Sequence, residues 1–205
     1  MKTVAVIPVK GRLPLLVHSV RRLVNDNIIT VCCGHTEAER QVVESAGGEF
    51  LSCHQATPLG LKWQMCIERA RQHNPDGVLI MGSSDWICKG WCDILYEYLD
   101  AGYAMAGSRG FYFLDIQKGN KKRMYKWKGY PPTYRYDEPC GAGRLFSRKA
   151  LEALKWEVFD PGINSSLDYS SMKRLWAIER NWGSPPIMCS DDPRLVGVAI
   201  STYKW

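Results

Sequence analysis

No apolar run in the 205 residues approaches the roughly 20 needed to cross a bilayer. The opening stretch MKTVAVIPVKGR is too short in apolar residues for a signal peptide, and Pro8 and Lys10 interrupt it. These two absences point to a cytoplasmic protein with no membrane span. The eight cysteines show no disulfide-framework spacing and no CxxC pair, which argues against a stapled secreted domain. Cys33, His35, Cys53 and His54 could meet if two strands ended side by side, but without a CxxC pair nothing supports zinc there. Several cysteines sit inside apolar runs, where a free thiol behaves as a small hydrophobe. No GK[ST] follows any glycine loop, which excludes a P-loop, and no GxGxxG follows the first strand, which excludes a dinucleotide fingerprint. No histidine follows His73, so a late metal ligand would have to be Asp191 or Asp192. Repeats, low-complexity tracts and linkers are also missing, so the expectation is one domain over residues 1–205.

What is present is ordinary globular material, 45% apolar and 23% charged, long enough for one α/β domain with a real core. The net charge of +6 suits an anionic ligand without specifying a nucleic acid. The chain is organised around residues 77–87, GVLIMGSSDWI. Val78-Leu79-Ile80-Met81 reads as a strand buried on both faces, as in a parallel sheet. It stops at Gly82-Ser83-Ser84-Asp85, and ligands of open α/β sheets sit just beyond such strand ends. A carboxylate at that point can hold a hard metal ion, and the ion a diphosphate. The alternative is that Asp85 only caps a turn.

Around this strand the pattern predicts strands at 3–9, 28–32, 50–53 and 103–106. Helices are predicted at 13–24, from Thr36 to about 46, at 61–72 and at 90–99, with a capping box between Thr36 and Glu39. Alternation at this spacing means βαβ units and a mostly parallel central sheet flanked by helices. The second half changes character. Strands are expected at 111–116 and 123–128 around a polar loop, then an irregular loop at 129–139 and a helix at 147–154. An extended piece at 155–159, a helix at 167–180 and a strand at 195–203 complete the prediction.

Four segments should converge on one sheet edge. Pro8-Val9-Lys10-Gly11-Arg12 brings two cations to the end of the first strand, where phosphates could meet them. Cys33-Gly34-His35 ends the second strand, and glycine there would let a planar base approach the backbone. Lys62 lies at a helix start, an end that also favours phosphate. Ser83-Ser84-Asp85 is the fourth. Each could equally be a solvated loop or plain turn. Asp168 opens a helix after a polar turn, a placement that suits a general base reaching into a cleft, or a carboxylate paired with the helix dipole. Gly141-Ala142-Gly143 suggests close backbone approach to a ligand or to a neighbouring strand. Lys118, Lys121, Lys122, Arg123, Lys126 and Lys128 interleave with Tyr125 and Trp127. Tyr125 and Trp127 alternate with the last lysines, which on a strand puts aromatics on one face and cations on the other. Such a face could bind an anionic or sugar-rich acceptor or a nucleic acid, or simply protect an edge hairpin.

Together these segments resemble the GT-A glycosyltransferases, especially the family-2-like branch, over most of the chain. VAVIPVKGR looks like their first-strand nucleotide segment, and PLGLKWQMCIERA like the helix before the metal-binding strand. GSSDW sits where the family carries its DxD-type motif, with one acid instead of two. CGAGRLFSRKALEAL resembles the acceptor-side element, and SSLDYSSM stands where the catalytic carboxylate is placed. The resemblance implies a Rossmann-like GT-A domain. Its nucleotide-sugar half would cover about 1–110 and its acceptor half about 111–205. It implies that Asp85 holds Mn²⁺ or Mg²⁺ on the donor diphosphate. Pro8, Val9, Lys10, Arg12, Cys33, Gly34, His35, Lys62, Ser83 and Ser84 would line the donor site. Gly141, Ala142 and Gly143 would face the acceptor, and Asp168 would deprotonate its hydroxyl. The implied reaction moves a sugar, from a UDP-sugar by this reading, to a glycan, protein or nucleic-acid hydroxyl with inversion. The competing expectations are a nucleotidyltransferase that forms a nucleotide-sugar, and a non-catalytic basic protein that binds nucleic acid or glycan through its lysine-rich hairpin.

Overall fold

The computed structural model describes residues 1–116, 122–135, 137–178, 182 and 186–202. Lys118 and Lys121 of the basic hairpin, the helix end expected at Arg180 and the strand end expected at Tyr203 lie outside the described residues. The first half runs β1 (Thr3–Pro8), α1 (Leu13–Asn25), β2 (Ile29–Gly34), α2 (Glu37–Ser45), β3 (Glu49–Ser52), α3 (Leu59–Gln72) and β4 (Gly77–Ile80). It continues through β5 (Asp85–Ile87), α4 (Trp91–Asp100) and β6 (Met105–Ser108). The second half adds β7 (Phe111–Ile116), β8 (Lys122–Trp127), β9 (Arg144–Ser147), α5 (Arg148–Ala153), α6 (Leu167–Ile178), β10 (Ile187–Ser190) and β11 (Gly197–Thr202).

Seven strands form the central sheet in the order β10-β6-β9-β4-β1-β2-β3. All neighbours are parallel except β9, which runs antiparallel between β4 and β6. The apolar strands earn both faces a cover because their side chains alternate. Val4, Val6, Val78 and Ile80 pack with Trp63, Cys66 and Ile67 of α3 and with Met172 and Leu175 of α6. Ala5, Ile7 and Leu79 pack on the opposite side with Leu16, Val20 and Leu23 of α1 and Leu95 of α4. The capping box of α2 forms as expected: Glu39 N–H donates to Thr36 Oγ1 at 3.1 Å, and the Glu39 carboxylate accepts from Thr36 N–H.

A second sheet of four strands, β5-β11-β7-β8, stands beside the central one. One row of it crosses all four strands, from Asp85 through Ala199 and Phe113 to Tyr125. Tyr125 stacks on Phe113 at 5.5 Å, and Trp127 meets the same ring edge-on at 6.3 Å. Lys126 lies on the other face, 5.7 Å from the Tyr112 ring. The expected division of aromatics and cations holds for Tyr125, Trp127 and Lys126, but Arg123 shares the aromatic face, its guanidinium 6.0 Å from the Tyr125 ring, and β8 is an edge strand.

Three expectations need correction. The helix expected at 147–154 begins later, because residues 144–147 form β9, and Ser147 Oγ caps α5 by accepting from Ala150 N–H at 3.1 Å. Residues 155–159 are not extended. Lys155 and Trp156 take left-handed φ values of 54° and 65°, and Trp156 N–H returns to Leu151 O at 2.7 Å. This turn drives the Trp156 ring into the core, where it is buried. The short strands β5 and β10 were not anticipated; with three and four residues, neither carries a readable alternation.

Candidate active site

The carboxyl ends of β1, β2 and β4 lie side by side because the strands are parallel and in register, with Pro8 beside Cys33. Beyond β4 the chain turns through Gly82, and the Asp85 carboxylate folds back so that Gly82 N–H donates to its Oδ2 at 2.7 Å. Ser19 Oγ donates to Asp85 O at 2.8 Å, and Ile200 N–H donates to Ser84 O at 3.1 Å. The SSD segment is thus held from α1 on one side and β11 on the other.

Asp85 and Asp168 line one cavity of about 280 Å³, together with Gly82, Gly141, Ala142 and Phe113. The first carboxylate comes from the parallel half and the second from the first turn of α6. Burial pushes the Asp85 carboxyl up to about 6, against the pull of the Gly82 N–H and Arg12, and the Asp168 charge adds to the rise. Gly141 lies directly against Asp168: a Cβ there would fall inside van der Waals contact of both carboxylate oxygens. Gly143 serves the interior instead. Its φ of 77° is left-handed, and a Cβ would also collide with the Trp91 ring, whose Nε1 donates to Gly143 O at 2.9 Å.

The other expected residues are distributed unevenly. Pro8 and Val9 are buried, and Lys10 is exposed. Gly11 and Arg12 both take left-handed φ values, 64° and 55°, which swing the chain into α1. Arg12 Nη1 reaches Ser84 Oγ at 2.7 Å. Ser83 is half-buried beside it in the chain. The backbone of Gly34 is covered by its own protein: a Cβ would meet Glu39 Oε2 at 2.7 Å and the Phe50 ring at 2.9 Å. That packing accounts for the glycine without a base. His35 Nδ1 approaches Glu39 Oε2 only to 3.6 Å and has no hydrogen-bond partner among the described residues. Lys62 is buried, and its Nζ donates to Val9 O at 3.4 Å. A hydrogen bond from Cys66 lowers the Cys33 thiol against its burial, with Cys53 and the Lys62 charge assisting. The N-terminus of α3 is occupied: Leu59 N–H donates to Asn164 Oδ1 at 2.8 Å and Gly60 N–H to Ile163 O at 2.9 Å. Those amides are not open to phosphate. Among the described residues no three His, Cys, Asp or Glu side chains converge as a metal cluster, so the four-ligand zinc arrangement does not form. Asp191 is paired with Arg109 at 3.0 Å and Asp192 with Arg194 at 2.6 Å.

No family model matches the chain, and no curated protein matches it. Solved structures do resemble it. The S. aureus TarS 1–349 structure in complex with UDP-GlcNAc aligns over 100% of this chain and 60% of its own, with TM-score 0.64 and 13% identity. The 4-diphosphocytidyl-2C-methyl-D-erythritol synthase of Anaerococcus prevotii aligns over 100% and 88%, with TM-score 0.55 and 12% identity. CMP:2-keto-3-deoxy-manno-octonic acid synthetase complexed with CTP aligns over 99% and 91%, with TM-score 0.52 and 12% identity. The chain has a GT-A-like α/β fold. It spans about 60% of the TarS 1–349 structure. Among the described residues, no helix is long and apolar enough to cross a membrane.

Two residues of this GT-A-like fold were missed as parts of the site. Glu39 accepts from Gly11 N–H at 2.8 Å and from His35 N–H at 2.9 Å, and so ties the loop after β1 to the loop after β2. Its place in the capping box was legible, but its second partner, 28 residues earlier, was not. Arg144 is buried, with its guanidinium donating to Pro139 O at 2.7 Å, Cys140 O at 3.0 Å and Asp168 O at 3.2 Å. It fixes the first turn of α6 against the loop that carries Gly141. A lone arginine beside a glycine pair gives no signal of this role in sequence.

Proposed function

We propose that the protein is a glycosyltransferase that moves a sugar from a nucleotide-sugar to a hydroxyl acceptor. The observation that carries this reading is the pairing of Asp85 and Asp168, from opposite halves of the chain, on one cavity at the carboxyl edge of the sheet. In this reading Asp168 takes the proton of the acceptor hydroxyl as its oxygen attacks the anomeric carbon, and the nucleoside diphosphate departs with inversion. Arg12, held at Ser84, supplies positive charge on the donor side. UDP is the favoured nucleotide because a structural neighbour is a complex with UDP-GlcNAc.

A divalent ion fits the site in a limited way. Asp85 Oδ2 is engaged by Gly82 N–H, so Oδ1 is the oxygen available to Mn²⁺ or Mg²⁺. The remaining ligands would come from the diphosphate and water, since no third protein ligand converges there among the described residues. Such an ion would neutralise charge on the departing diphosphate.

A thermal-shift titration with UDP and UDP-sugars, with and without Mn²⁺, tests donor binding. Asp168→Asn should abolish transfer while keeping the donor-induced shift; full activity in that variant would remove Asp168 from the mechanism. A nucleotidyltransferase is the second reading, because two of the structural neighbours are synthetases or synthases with nucleotidyl names and similar TM-scores. Pyrophosphate release from a nucleoside triphosphate and a sugar phosphate would favour it.

A further inference from the structure

A larger cleft, of about 680 Å³, opens between residues 132–135 and 137–138, Trp176 of α6, and β10. It shares no lining residue with the cavity of Asp85 and Asp168. The two are nevertheless neighbours along α6. Asp168 opens that helix, Tyr169 follows it, and Trp176 lines the cleft two turns further on, about 12 Å along the axis. The Tyr169 and Trp176 rings meet edge-on at 6.0 Å, and the Arg135 guanidinium sits 5.5 Å from the Tyr169 ring.

Three features describe what the cleft would take. First, Tyr134 and Trp176 line it with 60% and 39% of their surfaces exposed, although large aromatic rings usually seek cover. Second, Glu138 is almost fully buried in its wall. Arg135 Nε and Nη2 both donate to Glu138 Oε2, at 2.8 and 2.5 Å, and Oε1 has no partner among the described residues. A buried carboxylate oxygen without a donor is costly, and a ligand donor or a water between them would satisfy it. Third, the charges balance. Arg109 and Arg135 face Asp137 and Glu138, and Arg109 is further tied to Asp191 at 3.0 Å. A nucleic-acid groove would show an excess of cations, and a lipid pocket would lack this density of charge. Exposed ring faces beside planar polar groups suit a neutral, hydroxyl-rich ligand, whose C–H faces stack and whose hydroxyls pair with carboxylate and guanidinium.

We propose that this cleft binds a saccharide, and that it holds the sugar chain of the acceptor beyond the residue placed at Asp168. The acceptor role rests on the glycosyltransferase reading above; saccharide binding in the cleft does not.

The full chain would be tested on an array of microbial and animal glycans, and the best-retained glycan measured by calorimetry. Trp176→Ala, an exposed position, should weaken that glycan about tenfold or more while the UDP-induced thermal shift stays unchanged. Glu138→Gln should also weaken it, with the fold checked by circular dichroism. Retention of no glycan overturns the proposal, as does glycan binding indifferent to Trp176→Ala and Tyr134→Ala. Binding of nucleic acid or lipid vesicles through these residues, without glycan, overturns it too. Glycan binding without any nucleotide shift would keep the cleft and remove the donor reading, so the two failures are separable.

Discussion

Arg12 Nη1 donates to Ser84 Oγ at 2.7 Å, joining the loop after β1 to the loop after β4 across the mouth of the candidate site. Ser84 is buried, and Arg12 holds it from the exposed side. Arg12→Ala should cost about 1–2 kcal/mol of stability through the lost charge-assisted bond and weaken UDP-induced stabilisation. Urea unfolding and a UDP thermal-shift titration would check both. An unchanged UDP response would detach Arg12 from donor binding.

Asp85 makes stability depend on pH in an unusual direction. Its carboxyl is raised from the ordinary 3.8 to about 6, chiefly by burial. Between these values the folded protein holds a proton that the unfolded chain has released, so stability falls as pH rises through that window and stays lower above it. Asp85→Asn keeps an oxygen for Gly82 N–H and removes the charge. Its Tm should exceed the wild-type value at pH 7.5, with the gap closing towards pH 4. A gap that does not change with pH would contradict the buried carboxylate.

Glu39 should behave in the opposite sense. Burial opposes its charge, but N–H groups of Gly11, His35 and Thr36, with His35 nearby, hold the carboxyl below its usual range. Its contribution is complete above the unfolded value near 4.5 and is lost as pH falls through the lower folded value. Glu39→Gln should lose about 2–3 kcal/mol at pH 7, because an amide nitrogen would face backbone donors. Denaturant unfolding at pH 7 and pH 3 would show the difference shrinking in acid.

Gly141 lies against the Asp168 carboxylate, with no room for a Cβ between them. Gly141→Ala should fold, since the group it meets is the end of a side chain, but the carboxylate would have to swing away. Transfer activity should fall at least as far as a misplaced general base implies, about a hundredfold. The UDP shift should be unaltered. Near-normal turnover in this variant would argue that Asp168 need not occupy that position.

Much of this arrangement is legible in the amino-acid sequence. The runs at Val4, Ile7 and Val78 to Met81 announce buried parallel strands, and Thr36 with Glu39 announces a helix start. Asp85 stands out because it follows an abrupt change from apolar to polar residues, and Asp168 because it sits in a polar turn that opens a helix after Gly162. Strand β9 was hidden, since Arg144, Leu145 and Phe146 are all buried and read as the approach to a helix. An antiparallel strand between two parallel ones is decided by distant partners, Leu79 and Ala106, not by local preference. The same reason hides Glu39 as a brace and Arg144 as a support for Asp168. The large cleft was invisible because its walls come from five separate stretches, at Tyr103, Arg109, residues 132–135 with 137–138, Trp176 and residues 186–189.

The row from Asp85 through Ala199 and Phe113 to Tyr125 has a consequence for biosynthesis. Strand β11 lies between β5 and β7, and it leaves the ribosome long after β5, β7 and β8. Until it arrives, β5 and the β7–β8 hairpin have no bridge, and the cavity wall at Ala199 is missing. Closure of that gap joins residues far apart in the chain, which is slow. A nascent chain can therefore complete much of its central sheet while the candidate site is still unformed.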